Sequence, residues 1–282
     1  MAKYSLHIGV NVTDRDKYPE PFDDLSGAVP DACSLERLSA AQGFQTRRLD
    51  DSSATAEAVL SELRSYGGRL SAGDLLFLTY SGHGSQYADR DNDEPDHRDE
   101  TWVLHDRQLL DDELRHAWSW FPRGACVLLL SDSCHSGTVL RLNRKVTQRN
   151  GDTVPQAGSA RSRDMPARAR DRDFSERSAL YRGIKAAKRE PTPESIDALV
   201  LQFGACRDNE VAYESAGQGV MTKAFIDVFA DGRFEGDHTD FFNTLSGLVA
   251  QREPRQHPTF VTYGPDDLDF SGRVPLKTVE ES

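Results

Sequence analysis

Two short stretches of this chain carry residue types able to break a covalent bond. Asp132-Ser133-Cys134-His135-Ser136-Gly137 places a cysteine in a turn, and Ser81-Gly82-His83-Gly84 places a histidine between glycines. A thiol with its unperturbed pKa of about 8.5 needs a neighbour to take its proton before it attacks at neutral pH. Histidine is the side chain suited to that exchange. The pair therefore predicts Cys134 as nucleophile and His83 as general base, then acid. Glycines beside the histidine leave amide N–H groups unencumbered, so Gly84 and Cys134 are the expected oxyanion donors. Losing one such donor typically costs roughly 3 kcal/mol of barrier. The plainer reading is a buried inert thiol and a structural turn histidine. Against it, both residues sit just past an apolar run and both lie near glycine.

Those apolar runs must position the chemistry. Cys126-Val127-Leu128-Leu129-Leu130-Ser131 and Leu75-Leu76-Phe77-Leu78-Thr79-Tyr80 read as strands buried on both faces, as in a parallel sheet. Catalytic groups of open α/β sheets gather at the carboxyl edge, where these two strands deliver Cys134 and His83. Ser5 to Val12 reads as the first strand, followed by an Asp- and Pro-rich loop to about Leu25. Pro30-Asp31 opens a helix that Gly43 stops, and Phe44 to Leu49 is a short strand. Asp51-Ser52-Ser53 is the expected cap of a helix with Ala56, Val59, Leu60 and Leu63 on one face, ending at Gly67-Gly68. Gln86 to Glu100 reads as a polar loop, and Asp111 to Trp120 as a helix. Ile196 to Ala205 is a strand, 221–229 and 241–250 are helices, and Thr259 to Tyr263 is a last strand. Alternating strands and helices predict an α/β fold with a mostly parallel twisted sheet flanked by helices on both faces.

Composition narrows the classes. The chain has 282 residues, 37% hydrophobic, enough to bury a large core. It holds no apolar run of membrane-spanning length and no visible secretory signal. The four cysteines, Cys33, Cys126, Cys134 and Cys206, show no paired spacing, so a reduced, cytoplasmic setting with Cys134 as a free thiol is expected. Net charge is −12, yet residues 141–190 hold 14 Lys/Arg against 6 Asp/Glu. An acidic body with one basic segment argues against nucleic acid as the main partner. Poor in large apolar residues, 141–194 reads as a mobile basic linker. It separates a large segment, 1–140, from a small one, 195–282, of a single domain spanning 1–282.

Tyr80-Ser81-Gly82-His83-Gly84 and Asp132-Ser133-Cys134-His135-Ser136-Gly137 resemble the two signature blocks of metacaspases and their bacterial relatives, the orthocaspases, within the caspase-like cysteine peptidases. The resemblance extends to Gly27-Ala28-Val29-Pro30-Asp31, Asp99-Glu100, Asp111-Asp112-Glu113, Ala205-Cys206-Arg207-Asp208 and Gln256-His257-Pro258. A Gln-Ala-Cys motif of true caspases is absent, which favours the metacaspase branch. The resemblance implies a caspase-like fold, a His83/Cys134 dyad and an endopeptidase that cuts after Arg or Lys. Asp31 and Asp132, with Ser81 beside them, would form its acidic S1 pocket, suited to a guanidinium and repelling acids. Where the family's first block has a cysteine, this chain has Ala28.

The resemblance also implies self-cleavage in the linker, with Arg144, Lys145, Arg149, Arg161, Arg163, Arg168, Arg170 and Arg172 as candidate positions. Many metacaspases bind calcium through aspartates that match Asp99, Asp111 and Asp112, but the further aspartate of that set is Arg141 here. Its guanidinium would supply the charge that calcium supplies elsewhere, so calcium-independent activity without any cofactor is expected. The Asp89/Asp91/Asp93/Glu94 cluster lacks the glycine and terminal glutamate of an EF-hand loop and reads as solvated. Expected partners are Arg- or Lys-containing protein or peptide substrates of a monomeric enzyme, with an activator acting in trans. Bacterial relatives often serve in stress or antiphage programmes. The rival reading is a catalytically quiet binding module whose basic linker recruits an acidic partner.

Overall fold

A computed structural model of the chain describes residues 1–88, 98–134, 160–187, 196–207, 210–265, 268 and 272–278. The first half runs β1 (Lys3–Gly9), α1 (Ala28–Ala41), β2 (Gln45–Asp50), α2 (Ala56–Arg69), β3 (Leu75–Ser81), β4 (Gly84–Ala88), β5 (Arg98–Val103), β6 (Gln108–Leu110), α3 (Asp111–Trp118) and β7 (Cys126–Asp132). The second half runs β8 (Arg161–Ser162), α4 (Ala167–Glu176), α5 (Ser178–Ala187), β9 (Leu199–Gly204), β10 (Tyr213–Ser215), β11 (Gln218–Gly219), α6 (Val220–Phe229), α7 (His238–Arg252) and β12 (Thr259–Tyr263).

Six strands form the central sheet in the order β12-β9-β7-β3-β1-β2, and every pair is parallel except β12 with β9. The continuous apolar runs dictate this: β3 and β7 are buried at every residue because both faces of the sheet are covered. Alternation along β3 sends Leu76, Leu78 and Tyr80 into one core with Val59, Leu63 and Tyr66 of α2 and Leu114 and Trp118 of α3. Leu75 and Phe77 point into the other core, with Leu35 of α1, Phe225 of α6 and Phe241 of α7. The result is the expected three-layer α/β architecture.

Register delivers the chemistry to one edge. Ser81 at the end of β3 pairs with Asp132 at the end of β7, so the residues just beyond them, His83 and Cys134, emerge side by side. Two smaller three-stranded sheets border this edge, β4-β5-β6 and β11-β10-β8.

Three local expectations are corrected. Asp51–Ser53 is a 3-10 turn, and the cap of α2 is Thr55, whose side chain accepts from the Ala58 amide at 3.2 Å. Asp51 cannot serve there because its carboxylate already accepts from the amides of Asn11 and Val12 at 2.7 and 3.0 Å. The stretch expected as a polar loop from Gln86 holds both edges of an antiparallel hairpin, with 84–88 paired to 98–102. Its polar side chains masked the pairing; Gln86 and Glu100 are buried, and Gln86 Nε2 donates to Glu100. Finally, the basic segment is not wholly a mobile linker: 161–187 forms β8, α4 and α5. A few anchors suffice to order it. Met165, Ala169 and Tyr181 are buried, and Asp173, also buried, accepts from Gln108 Nε2 at 2.8 Å and from the Tyr181 hydroxyl at 2.7 Å.

Candidate active site

Backbone contacts lock the two motif turns together. Tyr80 directs its hydroxyl at the His83 carbonyl, 2.7 Å away, and stacks on Trp102 at 4.5 Å between ring centroids. Trp102 in turn donates to the Ser131 hydroxyl at 3.1 Å, tying β5 to the cysteine strand. A Cβ at position 84 would lie 1.9 Å from the Cys134 carbonyl oxygen, an overlap no real structure tolerates, so only glycine permits the turns to meet.

The imidazole is poised by its neighbours. His83 Nε2 lies 3.0 Å from the carbonyl oxygen of Asp23, which only accepts, so the proton sits on Nε2 and Nδ1 keeps its lone pair. Nδ1 is buried with no hydrogen-bond partner among the described residues, and burial pushes the His83 pKa below its ordinary value. The edge of Phe22 packs on the ring at 5.3 Å. Cys134 is buried, and desolvation pushes its thiol well above the usual range. The amide of Ala212 donates to its sulfur at 3.2 Å.

Beside this pair lies a pocket lined by acids, and Arg163 fills it. Arg163 is fully buried. One terminal nitrogen donates to Ser81 Oγ and to the Asp132 carbonyl, both at 2.8 Å, and lies 3.2 Å from the Asp132 carboxylate. The other reaches Asp31 at 2.7 Å and Glu214 at 3.5 Å. Each acid is held from behind. Asp31 sits in the first turn of α1, whose leading amides, Ala28 and Val29, are capped from a distance by the Asn11 side chain at 2.9 and 3.2 Å. Asp31 also accepts from Gly219, Asp132 accepts from the Thr222 amide in the first turn of α6 at 2.8 Å, and Glu214 accepts from Ser26 and Gly27. Burial lifts the Asp31 carboxyl to about 6 against the opposing pull of Arg163. Glu214 moves the other way, below its ordinary value, with the Arg163 guanidinium and the Ser26 and Gly27 donors outweighing its burial.

The backbone of Arg163 is engaged as well. Its carbonyl oxygen accepts from the Gly84 amide at 2.9 Å, and its own amide donates to the Ala212 carbonyl at 2.9 Å. Just before it, β8 pairs antiparallel with β10, setting Ser162 against Tyr213 and Arg161 against Glu214. Tyr213 is itself fixed by Gln256, whose Oε1 accepts its amide at 3.0 Å. An extended strand docked through its backbone, with one side chain in a deep pocket, is how peptide chains are recognised along a sheet edge.

The structure thus brings Asp31, Ser81, Asp132, His83, Gly84 and Cys134 to one edge. Among the described linker positions it places only Arg163 in the pocket. Arg161 is exposed and donates to the Asp24 carbonyl, while Arg168, Arg170 and Arg172 lie on α4. Arg144, Lys145 and Arg149 lie outside the described residues, as do Arg141 and the Asp89/Asp91/Asp93/Glu94 cluster. Glu214 escaped the sequence reading because a lone acid in Tyr-Glu-Ser carries no local sign that a hairpin will turn it toward an arginine 51 positions earlier.

The suspected calcium acids are already partnered. Arg115 donates to Asp111 at 3.1 Å and to Asp112 at 2.7 Å, and Lys185 of α5 lies 3.2 Å from Asp112. Asp99 lies opposite Tyr87 in the hairpin, and its side chain is outside the described residues. A divalent ion would have to displace two cations here, so this pair of carboxylates is a poor fit for one.

Comparison with known proteins agrees with this architecture. Residues 12–267 match the Peptidase C14 caspase domain model. Metacaspase-1 of Schizosaccharomyces pombe is 25% identical over 95% of this chain and 68% of its own length. Metacaspase-7 of Arabidopsis thaliana is 31% identical over 50% of the chain, but the match covers only 36% of that protein, so the chain spans about a third to two thirds of such relatives. Protein GSU0716 from Geobacter sulfurreducens superposes with a TM-score of 0.82 at 29% identity, over 99% of this chain and all of that one. Caspase-1 from Spodoptera frugiperda shares the fold, with a TM-score of 0.52 at 10% identity over 93% of this chain and 86% of its own. With the family model covering nearly its full length and the sheet edge assembled as described, this chain belongs to the caspase-domain family of peptidase C14.

Proposed function

We propose that the chain is a cysteine endopeptidase that cuts after arginine or lysine, and that its own Arg163–Asp164 bond is the first it cuts. The observation that carries this reading is the double engagement of Arg163: its side chain fills the acidic pocket while its carbonyl accepts from the Gly84 amide. That is the pose a bound substrate residue needs, with the carbonyl on an oxyanion donor before any charge develops.

The steps follow from the atoms present. His83 Nδ1 takes the Cys134 proton, its ring held by the Asp23 carbonyl at Nε2. The thiolate adds to the Arg163 carbonyl carbon, and the resulting oxyanion is held by the amides of Gly84 and Cys134. The imidazolium then gives its proton to the Asp164 nitrogen, the C–N bond breaks, and a new amino terminus forms at Asp164. Water, deprotonated by His83, hydrolyses the thioester and returns the thiol. Burial keeps both Cys134 and His83 uncharged in the uncut chain, so proton transfer between them costs free energy and self-cleavage is slow until solvent or an activator in trans reaches the site.

Lysine carries one point charge where arginine carries a fork, so a substrate lysine reaches either Asp31 or Asp132 but does not span both. Arginine is therefore the preferred residue. We further hold that cleavage proceeds without calcium, a reading supported by Arg115 and Lys185 at the Asp111 and Asp112 carboxylates.

Intact-mass analysis of the purified chain beside Cys134→Ala tests the reading. Wild type is expected to yield a fragment beginning at Asp164, in EDTA as in calcium, while Cys134→Ala stays whole. Cleavage of both proteins alike removes Cys134 as nucleophile. A wild type that neither breaks nor cuts arginine peptides overturns the peptidase reading.

A further inference from the structure

The chain beyond Arg163 is held as well as the arginine itself, by the carbonyl of Gly84 and by apolar residues that the catalytic argument has not used. Gly84 grips both sides of the Arg163–Asp164 bond: its amide donates to Arg163, and its carbonyl accepts from the Met165 amide at 3.0 Å. The Asp164 backbone forms a parallel bridge to Gly84 between them. This pins the residue two positions past the bond, Met165, whose side chain is completely buried.

Met165 enters an apolar pocket whose walls are Tyr18, Val103 and Phe22, with Ala169 of α4, the helix that follows it, as a lid. Tyr18 is braced by its hydroxyl, which donates to the Leu104 carbonyl at 2.8 Å, so its ring presents only carbon to the pocket. Phe22 meets Tyr18 edge-on at 5.6 Å and meets His83 edge-on at 5.3 Å. One ring therefore forms both a wall of this pocket and a contact of the imidazole.

We infer that Tyr18, Phe22 and Val103 form a second specificity subsite, which selects an unbranched or leucine-like apolar side chain two residues after the scissile bond. This rests on the proposed cleavage after Arg163. Three of the four walls belong to the body of the protein and remain when a separate substrate replaces the linker; only Ala169 travels with Met165. A charged side chain entering the subsite loses its hydration and finds no partner on these walls. An apolar one gains by leaving water and presses Phe22 against His83. The acidic pocket reads the residue before the bond, and this pocket reads the chain after it.

Internally quenched peptides with the sequence Arg-Ser-Arg-Asp-X-Pro, X being Met, Leu, Ala, Asp or Lys, test the subsite on the full-length protein after it has processed itself. The same peptides with Ala in place of the second Arg serve as the control. The expected kcat/KM order is Met and Leu above Ala, with Asp and Lys at least tenfold below Met. Equal rates for every X overturn the subsite and leave the peptidase reading standing, provided the control peptides resist. If neither the peptides nor the chain itself is cut, both readings fall together. Should the processed linker shield the site from peptides, the rate of self-cleavage decides. Met165→Leu is expected to process at the wild-type rate and Met165→Asp at least tenfold more slowly, and equal rates overturn the proposal. Val103→Leu, which narrows the pocket, is expected to shift the preference from Met toward Ala. A merely structural role for the pocket predicts a uniform loss across all X, and that result overturns it.

Discussion

Arg163 and Arg168 lie five positions apart in one basic stretch, yet the first has no exposed side-chain surface and the second is 81% exposed. Arg163 belongs to an extended segment whose backbone pairs with β10 and whose side chain enters an acid pocket. Arg168, Arg170 and Arg172 sit on α4, where Arg168 and Arg172 make surface ion pairs with Glu20. Helical backbone hides its N–H and C=O groups in its own hydrogen bonds, so it offers nothing to a sheet edge until it unwinds. Composition makes these arginines equivalent, and backbone conformation separates the one buried among acids from those on the surface.

The sharpest way to break this contrast is to remove the buried member. Arg163→Ala is expected to abolish the cut before Asp164, read by intact mass. It also leaves Asp31, Asp132 and Glu214 without their shared cation, a change that typically costs roughly 3–5 kcal/mol. Thermal denaturation checks that loss. It should be smaller at pH 5 than at pH 8, because without the opposing pull of Arg163 burial and Asp132 push the Asp31 carboxyl further up, and protonation at the lower pH ends its unpaired buried charge.

Arg163→Lys is expected to keep the cut but slow it by about tenfold, since one ammonium cannot bridge from Asp31 to the Asp132 carbonyl. For the wild type, cleavage of arginine peptides should weaken toward acid pH, with KM rising as Asp31, whose carboxyl burial pushes up, loses its charge. A KM flat from pH 8 to pH 5 argues that Asp31 does not read the arginine. Glu214→Gln removes a charge 3.5 Å from Arg163 and keeps one acceptor oxygen for Ser26, while the Gly27 amide loses its acceptor. Its expected cost is about threefold in KM for arginine peptides, on the order of 0.7 kcal/mol. Arg168→Ala should sit at the bottom of the scale, within about 0.5 kcal/mol in stability and without effect on the cut site.

Much of this was legible in the chain. The runs at Leu75 and Cys126 are apolar without alternation, a pattern only a strand covered on both faces needs, and they end where His83 and Cys134 begin. Less legible were elements whose order depends on partners distant in sequence. The strand at 84–88 is polar and reads as loop, yet it pairs with 98–102 and carries the glycine that grips both sides of the candidate bond. Helix α4 is rich in arginine and poor in large apolar residues, and its order depends on Met165, Ala169 and Asp173 docking onto surfaces from other parts of the chain. Glu214 and the Tyr18, Phe22 and Val103 walls lie in segments with no local mark of a site.

By itself the sequence determined the α/β layering, the sheet edge to which two motifs run and the candidate thiol and imidazole they carry. Each follows from local hydrophobic patterning and from side-chain types that no neighbour can alter. Only the tertiary structure decided which described arginine fills the acid pocket, that a third carboxylate joins the two expected there, and that Met165 is buried against Tyr18, Phe22 and Val103. Those outcomes depend on the register of β8 against β10 and on side chains from distant parts of the chain meeting at one edge. Both are set by backbone hydrogen bonds and burial between residues far apart in sequence, which no local pattern encodes.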